Sequence, residues 1–257
     1  MSFHYLPPEQ QNSPILISIP HCGTEIPTEL GIKTKNCPDT DWFLEHLYDF
    51  APQMGIGIMY AQFARYVVDL NRNPSSVPLY NDGRILTDAI PTTQFDGKEL
   101  YDTPPTKEQK QGRIQHFFTP YHNAITNKLE ELREQFGWAL LFDAHSIKRH
   151  VPTIQKAPFP DLILGSNDRQ SASVNLIDET WGFLNDSKYD CTHNTPFKGG
   201  YITRYFGNPQ NNIHALQLEM SQDIYMDEHH PQWDPVKAKP MKTFLKALFM
   251  KLLQVKP

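Results

Sequence analysis

The sequence is poor in cysteine, with Cys22, Cys37 and Cys191 its three thiols, an odd number with no C-x-x-C pair. That spacing excludes a disulfide framework and a cysteine-rich structural zinc site. Cys22 sits beside a glycine turn, but no neighbouring base activates it, and it reads as a bystander thiol. Positive charge is also not in excess. Lys and Arg number 24 against 29 Asp and Glu, a formal net charge of −5, and the cations are scattered. No basic face is on offer to nucleic acid or to an anionic membrane. No apolar window approaches the roughly eighteen residues of a membrane-spanning helix, and Met1 to Ser13 has no basic stretch followed by an apolar one. A soluble, cytoplasmic protein is expected. Repeats and low-complexity tracts are absent as well. The chain does have 39% hydrophobic residues over 257 positions, enough for one sizeable core, so a single domain spanning 1–257 is expected.

Short apolar runs alternate with helical patterns, which predicts a mostly parallel sheet covered by helices. Ile15–Ile19 (ILISI), Arg65–Leu70 (RYVVDL), Trp138–Phe142 (WALLF), Leu162–Leu164 and Ala215–Glu219 (ALQLE) read as strands. Helical spacing predicts a helix from Asp39 or Thr40 to about Met54, with Phe43, Leu47 and Phe50 on one face. A second carries Ile125, Leu129, Leu132 and Phe136 up to Gly137, broken or kinked at Pro120. A third opens at Ser171 or Ser173, and a fourth runs from about Val236 to Leu253. Pro74 to about Pro105 has no sustained period and reads as a long loop with a binding or lid role.

The chemistry-bearing residues fall where apolar runs end. His21, Asp69 to Arg72, Asp143 to His145 and Glu219 each close a predicted strand, and ligands of open α/β sheets bind outside the carboxyl ends of strands. His21 and His145 can supply neutral imidazoles to a metal, with Asp143 orienting His145 or binding the ion itself. A catalytic zinc takes three protein ligands and leaves a position open, so one carboxylate must complete the set. Asp41, at the start of a predicted helix, is preferred, and Glu25, four residues after His21, is the alternative. Glu219 ends an apolar strand, where an ionised side chain needs a partner, and reads as a general base. Arg65, Arg72 and Arg204 lie beside this region, and guanidinium groups pair with carboxylates through two parallel hydrogen bonds. Each residue also has a plainer reading: a loop histidine, a capping acid, a structural Glu–Arg pair, a surface arginine.

Taken together, the blocks PHCGTEIP from Pro20, TDWFLEHLYDFA from Thr40, RYVVDLNRNP from Arg65, DAHSIK from Asp143, FKGGYITRYFG from Phe197 and HALQLEMSQDIYMDE from His214 resemble the N-formylglutamate amidohydrolase (N-formylglutamate deformylase) family. That family is in turn similar to the zinc carboxypeptidases and aspartoacylase. The resemblance spans residues 14 to 228. It implies an α/β fold with a mixed, mostly parallel sheet flanked by helices, zinc-carboxypeptidase-like (phosphorylase/hydrolase-like), with zinc as cofactor. It places His21 and His145 on the metal, Asn71 and Arg72 on the substrate and Glu219 as base. The implied reaction is hydrolysis of N-formyl-L-glutamate to formate and L-glutamate, a step of histidine degradation. In that mechanism Arg65 supports the oxyanion, Arg204 joins Asn71 and Arg72 on the glutamate, and Tyr201 closes over it. The small-molecule substrate is the partner expected. Related enzymes have H-x-x-E where Thr24 stands three residues after His21, which keeps Asp41 and Glu25 both open. Lys148 stands after DAHSI, where Arg is the family expectation. The rival readings are a zinc deacylase or carboxypeptidase acting on another N-acyl acidic amino acid, and a non-catalytic binding protein for an acidic metabolite.

Overall fold

A computed structural model describes residues 2–34, 36–75 and 88–257. Its main sheet is built from β1 (Phe3–Leu6), β2 (Ile15–Ile19), β3 (Gly57–Ala61), β4 (Ala139–Ile147), β5 (Leu162–Gly165), β6 (Cys191–His193) and β7 (Ile213–Ser221). The spatial order is β1-β3-β2-β4-β7-β5-β6. The central strands β3, β2, β4 and β7 are parallel. At one edge β1 runs antiparallel to β3; at the other, β5 runs antiparallel to β7 with β6 parallel to it. The fold is thus α/β, with a mixed, mostly parallel sheet. The helices are α1 (Leu44–Leu47), α2 (Lys107–Arg113), α3 (Thr119–Phe136), α4 (Val174–Asn185), α5 (Tyr201–Phe206) and α6 (Pro235–Leu252), and a small hairpin pairs β8 (Met226–Asp227) with β9 (Gln232–Trp233).

All residues of β2 and β4 are buried, as expected of parallel strands covered on both faces. Their alternation divides the core. Ile15, Ile17, Ile19, Leu140, Phe142, Leu216 and Leu218 pack against α1, α4 and α6. On the other face Leu16, Leu141 and Ala215 meet Tyr121, Ile125, Leu129 and Leu132 of α3 and Ile202 and Phe206 of α5. Asp143, His145, Gln217 and Glu219 continue that second set at period two, so the polar residues emerge where the apolar ones on the same face stop. The cross-strand register sets His145 opposite Glu219 and Asp143 opposite Gln217.

Local signals account for most helix ends. Gly137 closes α3 in the left-handed conformation at φ 82°, the Ser173 side chain caps α4 through Leu176 N–H, and Asp234 caps α6 through Val236 and Lys237 N–H. A π-helical turn at Ile114–Phe118 precedes α3, with Pro120 in the first turn after it. Among the described residues no helix is long and apolar enough to cross a membrane.

Two expectations are corrected, and a third lies partly outside the described residues. The run Arg65–Leu70 is not a strand: Tyr66, Val67, Val68 and Leu70 are buried, but their backbone turns, with Val67 N–H bonded to Ala64 O and Arg72 N–H to Asp69 O. The strand of this region is β3, whose glycine-bounded sequence concealed it. The helix expected from Asp39 or Thr40 to Met54 shrinks to α1 and a separate 3-10 turn at Pro52–Met54, because Phe43 adopts a left-handed conformation at φ 62°. Of the proposed loop from Pro74 to Pro105, residues 76–87 lie outside the described residues; in the rest an isolated bridge joins Thr93 to Glu99.

Phe249 of α6 is fully buried, 4.8 Å from the Phe142 ring and 6.1 Å from those of Tyr48 and Phe50. Phe249→Ala removes the ring that joins helix to sheet and should cost about 3–5 kcal/mol. Urea unfolding should show a lower midpoint with an unchanged slope.

Candidate metal centre

The three segments that carry the centre are held together by backbone as well as side chains. His21 follows β2, and its carbonyl accepts a hydrogen bond from Asp41 N–H at 3.1 Å. This brings the turn before α1 back over the strand end. His145 lies near the end of β4, its ring centroid 4.9 Å from that of His21. Asp41 Oδ2 stands between them, 3.0 Å from His145 Nδ1 and 3.8 Å from His21 Nδ1. It also accepts the Ser146 N–H at 3.1 Å. One ligand atom from each of His21, Asp41 and His145 lies within 4.8 Å of the other two, and all three residues are buried. Glu25 is not part of this cluster; it is exposed and accepts a hydrogen bond from Gln62.

The outer nitrogen of each ring faces a carboxylate. His21 Nε2 is 2.7 Å from Asp69 Oδ1, and His145 Nε2 is 3.1 Å from Asp143 Oδ2. A carboxylate behind an imidazole can fix its tautomer and leave the inner nitrogen free to bind a metal, as Asp69 does for His21. Asp69 is itself held by Arg65 Nη2 at 2.7 Å, while Arg65 Nη1 donates to Asp39 O and the guanidinium lies 4.6 Å over the Phe95 ring. In this structure Arg65 therefore acts on the centre through Asp69 and by its charge.

The electrostatics follow from burial and neighbours. Burial pushes His21 below its ordinary value, and Arg65 adds to the effect. Burial would lower His145 too, but Asp143 and Asp41 outweigh it and hold that ring well above the usual range. For Asp41, burial, which favours the neutral acid, is overcome by the His145 hydrogen bond and the charges of His21, His145 and Arg65, so its carboxyl is lowered. Glu219 is different: burial, reinforced by Asp41 and Asp143 against His145 and Arg65, raises it to about 8. Asp143 and Asp41 thus favour the protonated imidazole of His145, and burial favours the neutral acid of Glu219.

Asn71 joins the centre to the loop before α5. Its Nδ2 lies 2.9 Å from His145 Nε2 and 3.4 Å from Asp143 Oδ2, and its Oδ1 accepts the Ile202 N–H at 2.7 Å. The side chain expected on the substrate is thus engaged by the protein itself. Thr203 Oγ1 also donates to Asp143 Oδ2, at 3.3 Å. Arg72 and Arg204 are half-buried, with Arg72 Nη1 donating to Asn71 O and Arg204 Nε to Gly199 O. Tyr201 is half-buried among Phe118, His122 and Tyr205. Sequence reasoning placed Asp69 in the chemistry-bearing run Asp69 to Arg72 without a specific role and passed over Gln217. Period-two spacing from Glu219 was an available signal for Gln217; the contact of Asp69 with His21 had none, because it comes from a turn distant in sequence.

A model of the family described as N-formylglutamate amidohydrolase matches residues 13–226, most of the chain. The protein belongs to the N-formylglutamate amidohydrolase family. It is 37% identical to an N-formylglutamate deformylase of Pseudomonas putida over 98% of this chain and 95% of that one. It is 40% identical to an N-formylglutamate deformylase of Pseudomonas aeruginosa over 85% and 84% of the respective chains. The crystal structure of an N-formylglutamate amidohydrolase from Ralstonia eutropha JMP134 has the same fold, with a TM-score of 0.86 at 23% identity, covering 98% of this chain and 97% of that one. A gene product of Agrobacterium tumefaciens shares it at a TM-score of 0.76 and 15% identity, with coverage of 98% and 94%.

Two outcomes are expected of this family member. Asp69→Asn should weaken metal binding by about 10–100-fold, because His21 loses the carboxylate that orients it; competition with a chromogenic chelator measures this. The metal must also displace the proton that Asp143 and Asp41 hold on His145. Binding at neutral pH should therefore release a proton, and affinity should fall as pH is lowered. Calorimetry in buffers of different ionisation enthalpy reads the proton count.

Proposed function

We propose that the protein hydrolyses N-formyl-L-glutamate to formate and L-glutamate, with zinc held by His21, Asp41 and His145. The observation that carries this reading is the pair of carboxylate-backed imidazoles converging on one buried carboxylate, beside a buried glutamate opposite His145. Two imidazole nitrogens and one carboxylate oxygen form a donor set suited to a catalytic zinc with a coordination position open. When bound, zinc polarises the formyl carbonyl and makes a coordinated water acidic near neutrality.

The chain's own residues supply the rest. A dication held there would favour a neutral His145 and an ionised Glu219, and Glu219 is placed to take the proton of the attacking water. The same carboxyl returns that proton to the amine nitrogen as the C–N bond breaks. One group thus serves first as base and then as acid. Arg65 lends its charge to the carbonyl oxygen as negative charge develops there. Arg72 and Arg204 bind the two carboxylates of the glutamate portion, and Tyr201 closes over it. Asn71 joins the arginines in holding the glutamate portion and also keeps Asp143 and the start of α5 in register.

Glu219→Gln keeps the shape of the site but removes its proton acceptor. Formate release should fall by about 10²–10⁴-fold, while zinc content measured by atomic emission stays at the wild-type level. Near-normal turnover by the zinc-loaded variant would rule out Glu219 as base. Assays of formyl, acetyl, succinyl and formimino derivatives should rank the formyl compound first by kcat/KM.

A further inference from the structure

We propose that Gln217 is a positioning residue that anchors the loop before α5 and, with the other end of the same amide, orients the carboxyl of Glu219 for its role as base. Gln217 is 4% exposed and points to the same face of β7 as Glu219, two residues on. Its Oε1 accepts the Gly200 N–H at 2.7 Å, and its Nε2 reaches Glu219 Oε2 at 3.4 Å. The first contact dictates the polarity of the second. A backbone N–H can only donate, so the amide oxygen must face Gly200 and the NH2 must face Glu219. An NH2 group can only donate, so the Glu219 oxygen facing Gln217 is an acceptor and the carboxyl is held in that orientation.

The loop end of the link is also tightly placed. A Cβ added to Gly200 would lie 2.2 Å from Asn71 Nδ2, and one added to Gly165 would lie 2.7 Å from Gly199 N. The loop is confined between β5 and the Asn71 turn, with Gln217 beneath Gly200. Residues Tyr201 and Arg204 follow immediately on α5. A shift of Gly200 therefore reaches the base through one side chain, and the orientation of the base reaches the substrate-holding helix by the same route.

This inference rests on the proposed role of Glu219, and two substitutions separate the ends of the amide. Gln217→Glu keeps an oxygen for Gly200 but loses the donor to Glu219; Gln217→Met loses both. With zinc-loaded protein and N-formyl-L-glutamate, Gln217→Glu should lower kcat by about 10–100-fold, the size of one hydrogen bond to a charged group, with KM near the wild-type value. Gln217→Met should lower kcat and also raise KM. Zinc content should be equal in all three proteins, because Gln217 touches none of the candidate ligands. Hydrogen exchange of peptides covering 194–206 reads the loop contact without any turnover. Exchange should rise in Gln217→Met and stay at the wild-type level in Gln217→Glu. Wild-type kcat in Gln217→Glu, or wild-type exchange in Gln217→Met, would overturn the proposal. If the wild-type enzyme releases no formate, the substrate assignment fails while the exchange result still decides the loop contact.

Discussion

The site depends most on the parallel register between β4 and β7. That pairing sets His145 beside Glu219 and Asp143 beside Gln217 on one face of the sheet. A slip of one residue would turn the two side chains of the slipped strand to the opposite face, into the apolar layer under α1, α4 and α6, and part them from their partners. The slip is opposed along the full length of either strand, because Leu140 and Phe142 of β4, or Leu216 and Leu218 of β7, would leave that layer at the same time. The hydrophobic pattern that makes these strands core elements therefore also aligns Asp143, His145, Gln217 and Glu219. No separate device is needed to place them.

The cost of that placement is electrostatic. Asp41, Asp69, Asp143 and Glu219 are buried together with one arginine, Arg65, and two histidines. With both imidazoles neutral the group carries excess negative charge in a medium that solvates it poorly. The protein meets this in layers. Arg65 neutralises Asp69, a proton on His145 offsets Asp41 and Asp143, and Glu219 resists ionising. A divalent cation at the His21–Asp41–His145 point would relieve the same excess, favouring a neutral His145 and a charged Glu219. On the proposed reading, metal loading and activation of the base would be one electrostatic event.

What could be read from the sequence follows from the range of each signal. His21, His145 and Glu219 were legible because each is a polar residue at or near the end of an apolar run, and such runs become strands under local rules. The choice between Asp41 and Glu25 was not legible. Both lie within about twenty residues of His21, and only the return of the Asp41 turn, bonded by Asp41 N–H to His21 O, separates them. The run RYVVDL misled for a related reason: apolar composition reports burial, and a buried turn has the same composition as a buried strand. Its buried carboxylate Asp69 had to be held in place by Arg65 and by backbone donors such as Asn71 N–H, which no periodicity announces.

The division of labour between strands and loops gives this arrangement its functional logic. Proton transfer and metal binding need positions fixed to fractions of an ångström, and β4 and β7 provide them. Recognition of a substrate needs surfaces that can differ between relatives, which is the province of loops. Here the recognition loop is nevertheless tied to the rigid part at two points, Asn71 to Ile202 N–H and Gln217 to Gly200 N–H. Both partners are backbone groups, which constrains where α5 begins, and Thr203 of α5 adds a side-chain tie by donating to Asp143. On the proposed reading, a relative could change Tyr201 or Arg204, and hence the amino acid held, while the path from loop to base stayed intact. Gly200 is the exception that follows from the same geometry, since a side chain there would occupy the space of Asn71.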